Sequence, residues 1–251
     1  MSMSRDAQAR RVIVHAALVG PSPLERYRPG PIRRASHGAI TLIAGGDQGP
    51  AFNAALVLGS ASPAELFALA DAFFGDPAGY SIVVETGTAA AVEALLGARG
   101  WRLDEEEPAL VLAPLPAGRP AAPPELAIRR VADAAGLADF FGVSETPSIY
   151  VPSLAAALDR EVALLVGYVA GQPVATSRLV CLGTVVELSG IVTMSAAARR
   201  SYGAALTWAA LAAGRERGCV AATLTATAMG YPLYQRLGFC PAGVYRTYLP
   251  A

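Results

Sequence analysis

Lysine is absent from this chain: all twenty basic residues are arginine. Acylation of a lysine side chain is therefore excluded, which leaves the N-terminus as the one amine of its own that the protein could offer. Cysteine is scarce. Cys181, Cys219 and Cys240 form no CxxC pair, and His15 and His37 are the two histidines, so no metal-ligand cluster is expected. Dispersed cysteines fit a reducing compartment, where they serve as small buried hydrophobes. Net charge is zero, which argues against a nucleic-acid surface. No apolar run reaches membrane-spanning length, and Gln172, Pro173 and Arg178 break the greasiest region. Arg5, Arg10 and Arg11 are not followed by an apolar stretch and cleavage site, so no signal peptide is expected. A cytoplasmic, non-membrane protein is the expectation.

What is present is apolar. With 53% hydrophobic and 16% charged residues, the chain can bury a substantial core. Its 251 residues fit one large or two small domains. The segment Ala113–Pro124 carries five prolines in twelve residues, which neither a helix nor a central strand accepts. Domains are accordingly expected at 1–113 and 125–251, joined by a linker at 114–124.

The first half reads as alternating elements. A helix is expected over Asp6–Val19, and a Pro-rich loop through Pro31. Strands follow at Ala39–Ala44 and Ala51–Leu58, around a turn at Gly45–Gly49. Ser62 and Pro63 start a helix to Phe74. Tyr80–Glu85 is a strand, Ala89–Arg99 a helix, and Trp101–Leu112 a strand or hairpin segment. The acidic run Asp104–Glu107 reads as a solvated turn. The turn at Gly45–Gly49 has neither dinucleotide-fold nor P-loop spacing, which excludes those nucleotide-binding classes.

The second half is more specific. Leu126–Val131 is a strand, Asp133 caps a helix to Phe141, and Ser144–Ser153 is a polar loop ahead of a short helix to Arg160. Three antiparallel strands then run over Val162–Ala170, Pro173–Leu182 and Thr184–Met194, with turns at Gly171-Gln172 and Leu182-Gly183. A helix over Tyr202–Arg217 stops at Gly218. A strand at Cys219–Thr227, a helix at Tyr231–Leu237 and a strand at Gly243–Leu249 complete the chain.

The loop between Met194 and Tyr202 leaves unpaired backbone N–H groups at a helix N-terminus, the simplest means of holding a pyrophosphate. Downstream lies Thr227-x-x-Gly230-x-x-x-Tyr234-x-x-x-Gly238-Phe239. The loop and this segment together resemble the acyl-coenzyme A cradle and second signature of the GNAT N-acetyltransferase superfamily. The resemblance implies an α/β (α+β) GNAT fold over about 125–251: a mixed, mostly antiparallel sheet flanked by helices, preceded by a second, diverged GNAT-like domain.

The family cradle reads Arg/Gln-x-x-Gly-x-Gly/Ala. One register places its glycines at Ser201 and Gly203 and its basic residue at Ala198, departing at two positions. The other, Arg200-x-x-Gly203-x-Ala205, matches the letters but lengthens the loop; loop length favours the first. Backbone N–H groups and the helix dipole do most of the phosphate binding, so neither departure is fatal.

By resemblance the cosubstrate is acetyl-CoA. The residues implied to hold it are Ile191, Val192 and Thr193 at the strand end, Arg199, Arg200, Ser201, Tyr202, Gly203 and Ala204 in the cradle, and Thr227. Tyr234 would protonate the coenzyme A thiolate. Glu187, eleven residues before Ala198, falls where histone-type members place a glutamate base. Period-two alternation would set Val186, Leu188 and Val192 on one face and Glu187 with Ser189 on the other. If Leu182-Gly183 is a two-residue loop, Arg178 stands opposite Glu187, and a cross-strand ion pair competes with the base role. The loop residues Glu145, Tyr150 and Ser153 fall where relatives line the acceptor pocket. Trp208 reads as core.

The function implied is acetyl-CoA-dependent N-acetylation of a small-molecule or peptide amine. A non-catalytic coenzyme A-binding regulatory or scaffold protein, and an O- or S-acyltransferase, remain alternatives. No nucleic-acid or membrane partner is expected; completing the acceptor pocket, forming a homodimer or covering apolar surface are the roles open to the N-terminal half.

Overall fold

The computed structural model describes residues 4–28, 30–45, 49–75, 79–144, 151 and 153–251. Its elements run α1 (Arg5–Val19), β1 (Arg33–His37), β2 (Ile40–Ala44), β3 (Ala54–Val57), α2 (Pro63–Phe74), β4 (Ser81–Glu85), α3 (Ala90–Ala98) and β5 (Trp101–Leu112). Then follow β6 (Ala127–Arg130), α4 (Ala134–Ser144), α5 (Leu154–Ala157), β7 (Val162–Val169), β8 (Gln172–Leu182), β9 (Val185–Thr193), α6 (Tyr202–Glu216), β10 (Ala221–Thr225), α7 (Tyr231–Arg236) and β11 (Cys240–Pro250). The expected α/β architecture, a mostly antiparallel sheet flanked by helices, is what the chain forms.

The strands make one sheet of eleven, in the order β1-β2-β3-β4-β11-β5-β10-β9-β8-β7-β6. Two pairs are parallel, β3 with β4 and β9 with β10. The unit β3-α2-β4-α3-β5 repeats as β9-α6-β10-α7-β11, so the halves are internal relatives in topology. They also exchange strands. The last strand of the chain, β11, lies between β4 and β5, and β5 lies between β11 and β10. The Pro-rich segment thus divides the sequence without dividing the sheet.

Alternation assigns the helices to faces. Leu110 and Leu112 of β5 join the cluster under α6 and α7, while Ala109 and Val111 pack with Val14 of α1. Ile82 and Val84 of β4 pack under α2 and α3, on the side opposite Val83 and α1. Helices α4 and α5 cover Val162, Leu164, Val166 and Val180 on the α1 side. Helix α6 buries Tyr202, Leu206, Ala209, Ala210 and Gly214 at helical spacing. A Cβ at Gly214 would meet the Val186 side chain at 3.0 Å, so glycine there lets α6 lie close upon β9.

Four expectations need correction. Strand β1 was not foreseen; its Arg-Arg-Ala-Ser-His sequence has no apolar face, and it is an edge strand held by backbone pairing to β2. The acidic run Asp104–Glu107 is part of β5, paired with β11, and not a turn. Both hairpin turns sit one residue from their expected places, at Ala170-Gly171 and Gly183-Thr184. The register follows the turn: Arg178 faces Ser189, and Glu187 faces Val180. Finally, β9 carries an extra residue at Gly190-Ile191 opposite Ser177. Gly190 has φ +56°, a conformation costly for other residues. The bulge reverses the alternation, so Val192 shares a face with Glu187 and Ser189, and Thr193 turns toward α6. Of the expected turn at Gly45–Gly49, residues 46–48 lie outside the described residues.

Candidate active site

Strands β9 and β10 run side by side for three residue pairs, ending at Glu187 opposite Thr223. Beyond that point β10 stays with β5, while β9 follows β8 through the bulge to Thr193. The parallel pair therefore splays into a gap at its C-terminal end. In the N-terminal half the equivalent pair is bonded along all four residues of β3, and Arg11 of α1 reaches Leu58 O and the Glu85 carboxylate at its end. That end is closed.

The gap has one row of free backbone groups. Met194 N–H bonds to Val174 O, so by ladder alternation the Val192 N–H also points to β8 and the Thr193 N–H points into the gap. Of Val192 and Thr193, both expected to help hold the cosubstrate, Thr193 is the one whose N–H is turned into the gap. Thr176 Oγ1 donates to Gly190 O at 2.9 Å and fixes the bulge.

From Thr193 the chain makes a short 3-10 turn at Ser195–Ala197 and reaches α6 through Arg199 and Ser201, at φ +62° and +61°. The helix starts at Tyr202 with Ser201 as its last non-helical residue, the loop length of the Ser201/Gly203 register. Ser201 thus holds a left-handed conformation that glycine adopts at least cost. Ser201 makes no side-chain cap. Among the described residues the N–H groups of Arg199, Arg200, Ser201, Tyr202, Gly203 and Ala204 meet no protein acceptor, and no acidic residue occupies the first turn. Those donors and the positive end of a four-turn helix are the kind of groups by which a helix N-terminus takes up an anion.

Sequence reasoning missed Glu125. Tyr202, buried at the start of α6, donates its hydroxyl to Glu125 Oε1 at 2.8 Å, which ties the cradle to the segment before β6. Burial and this bond raise the Tyr202 pKa; its own backbone N–H, Tyr202 and the nearby Arg200 lower that of Glu125. No sequence signal marks a contact spanning so many residues.

Tyr234 projects from α7 into the α6-side core, packed edge-on against Phe239. It is 7% exposed, and burial pushes its pKa up to about 12. Its hydroxyl has no bond among the described residues and is not sealed in, so it meets open space. Thr227 is exposed, and its Oγ1 accepts the Gly230 N–H at 3.2 Å just ahead of α7. Met194 after β9 and Met229 before α7 are exposed and were not anticipated.

Glu187 lies on the opposite, α4-side face. Arg178 Nη2 is 4.0 Å from its Oε2, a diagonal approach, while Arg178 Nε donates to Ser189 Oγ at 2.8 Å. The ion pair exists, but the register shift makes it long. Ser153 Oγ caps α5 through Ala156 N–H; Glu145 and Tyr150 lie outside the described residues. Trp208 packs against the core under α6, as expected. Among the described residues there is no cluster fit for a metal ion, and no helix is long and apolar enough to cross a membrane.

Residues 124–239 match the Acetyltransferase (GNAT) family. In structure the chain is similar to a GCN5-related N-acetyltransferase from Kribbella flavida: 20% identity, 98% of this chain and 96% of that one, TM-score 0.70. It is also similar to a conserved protein of unknown function from Staphylococcus epidermidis, at 13% identity, 91% and 93% coverage and TM-score 0.63. A tandem GNAT protein from the clavulanic acid biosynthesis pathway aligns over 99% of this chain and 96% of its own, at 14% identity and TM-score 0.60. No curated protein matches the chain. Acetyl transfer is the activity the family supports in general. The splayed strands, the bulge and the cradle thus sit in the matched segment; residues 124–239 belong to the acetyltransferase (GNAT) family, and the chain as a whole has the fold of a tandem GNAT protein.

Proposed function

We propose that this protein is an acetyl-CoA-dependent N-acetyltransferase acting on a small-molecule or peptide amine, with its one active site in the β9–β10 gap. The observation that carries the reading is the run of N–H groups over residues 199–204 that meet no acceptor among the described residues, following a strand end whose Thr193 N–H points into the gap. The pyrophosphate of acetyl-CoA lies on the cradle, and the pantetheine runs along β9 toward Thr193.

The acceptor approaches from the α4 face, where Glu187 stands. The amine nitrogen attacks the thioester carbonyl carbon, and Thr193 N–H stabilises the oxyanion that forms. Glu187 removes the ammonium proton through water; its arginine neighbour at 4.0 Å leaves an oxygen free for that purpose. As the C–S bond breaks, the sulfur takes the Tyr234 proton. With the hydroxyl at about 12, transfer to a thiolate of ordinary basicity is uphill by about 5 kcal/mol, so it occurs in concert with bond cleavage and not before it.

Thermal unfolding with acetyl-CoA, followed by thiol release against a panel of amines, tests the reading. Ligand at a hundredfold over its Kd should add about 2.7 kcal/mol, roughly 5–10 °C for a chain of this size. Dephospho-coenzyme A and ATP serve as controls. The departures at Ala198 and Ser201 favour a second reading, a coenzyme A-binding module without turnover. A shift with no thiol release would select it, and no shift at millimolar acetyl-CoA would reject both.

A further inference from the structure

The Pro-rich segment runs back along α6 and is tied down at both ends. At the C-terminal end of the helix Arg215 Nη1 donates to Pro116 O at 2.6 Å, and Leu115 N–H bonds to Val220 O at 2.9 Å. Midway, Arg119 and Ala122 line one cleft with Ala209, Ala212 and Ala213 of α6. At the N-terminal end the Tyr202 hydroxyl donates to Glu125 Oε1 at 2.8 Å. Tyr202 and Arg215 are roughly 20 Å apart along the helix, and the extended chain from Pro116 to Glu125 reaches about 28 Å. A turn closed by Leu126 N–H on Pro123 O takes up part of the excess. Pro116, Pro120, Pro123 and Pro124 stiffen the rest, so a semi-rigid strap delivers Glu125 to the start of α6.

The start of α6 is where a clamp is needed. Arg199 and Ser201 hold φ at +62° and +61°, a conformation costly for residues with a side chain, and Ser201 forms no side-chain cap to offset it. Backbone of this kind persists where its surroundings over-determine it. Tyr202 follows directly and is 1% exposed. Its single hydroxyl proton goes to Glu125, and the Arg200 guanidinium bonds to the same oxygen from within the loop. The chain Arg200–Tyr202–Glu125 therefore spans the strained residues and ends on the strap.

We propose that Glu125 is a positioning residue for the cradle: through the Tyr202 hydroxyl it holds the first turn of α6, and with it the donors at 199–204, in the form that receives the pyrophosphate of acetyl-CoA. The inference rests on the proposed function for the identity of the ligand. Without its acceptor the Tyr202 hydroxyl no longer anchors the turn, which relaxes toward unstrained backbone, so the loss falls on affinity.

Isothermal titration calorimetry of the full chain with acetyl-CoA, beside amide hydrogen exchange of the free protein, tests it. Glu125→Ala and Tyr202→Phe should each raise the Kd at least about fivefold, and the double variant should bind no more weakly than the weaker single one, because both remove one bond. Glu125→Gln, whose amide oxygen still accepts the hydroxyl, should stay within about twofold of the wild type. Without ligand, the Ala205 amide, bonded to Ser201 O, should exchange at least about fivefold faster in Glu125→Ala and at the wild-type rate in Glu125→Gln. A cooperative melt confirms that each variant is folded. Unaltered affinity in Glu125→Ala, or a loss in Glu125→Gln as large as in Glu125→Ala, would overturn the inference and leave the proposed function standing. A wild type that binds no acetyl-CoA would overturn the proposed function instead, and unchanged exchange in Glu125→Ala would then overturn the clamp as well.

Discussion

Among the described residues the Tyr234 oxygen makes no hydrogen bond, so removing it isolates its chemistry. Tyr234→Phe should leave the melting temperature and acetyl-CoA affinity unchanged and lower turnover roughly tenfold or more. Glu187→Gln, measured beside it, should shift the alkaline pH optimum upward, because the amine must then lose its proton to solvent. A wild-type rate in the first variant, or an unmoved pH profile with lower stability in the second, would restore each side chain to a structural role. Ser201 is the converse case, a residue whose side chain the fold does not need. A left-handed conformation costs a non-glycine residue about 1 kcal/mol, so Ser201→Gly should raise Tm by roughly 2–4 °C. An unchanged or lower Tm would mean that the serine hydroxyl compensates in solution. The tyrosine and the cradle were legible in sequence because both reside in short contiguous motifs. Glu125 was not, because its partner Tyr202 lies 77 residues away in the chain.

Among the elements, the N-terminal strap has the most consequence. Helix α1 packs on β5 and β11, and the following 3-10 turn at Pro23–Tyr27 docks beside α5. The Asp159 carboxylate anchors that turn, accepting from Arg26 Nη1 at 2.7 Å, Tyr27 OH at 2.8 Å and Glu161 N–H at 2.8 Å. Burial alone would raise the Asp159 pKa, but these donors outweigh it and hold it below the usual carboxylate value. A depressed folded pKa gives stability that is present above the unfolded value, near pH 4, and lost as pH falls through the folded one. Asp159→Asn should therefore cost about 1–2 kcal/mol at pH 7, discounted for the exposure of Arg26, and the urea curves of the two proteins should converge below about pH 4. A constant offset down to about pH 3 would show that charge is not what anchors the strap. The same scale explains the register. The place of the β8–β9 turn decided which side chain Glu187 would face, and a one-residue change turned an opposed ion pair into a diagonal one.

At the scale of the molecule, strand exchange decides what can fold. β10 and β11 do not pair with each other, because β5 from the first half lies between them. Residues 125–251 alone should consequently show no cooperative unfolding, and co-expression with residues 1–124 should restore it. A fragment with its own sharp transition and an acetyl-CoA shift would mean that β11 closes onto β10 in the absence of β5. The Pro-rich segment marked a boundary in sequence that space does not respect, since composition reports local backbone preference and strand partners are chosen by the whole sheet. What the sequence by itself determined is the set of helices and most strands, through 3.6- and two-residue periodicity, and the family, through two short motifs. Only the tertiary structure decided the bulge at Gly190, the splay of β9 from β10, the closed pair in the first half and the bond of Tyr202 to Glu125. Each depends on how distant strands and side chains share one sheet, a property that no local window of residues contains.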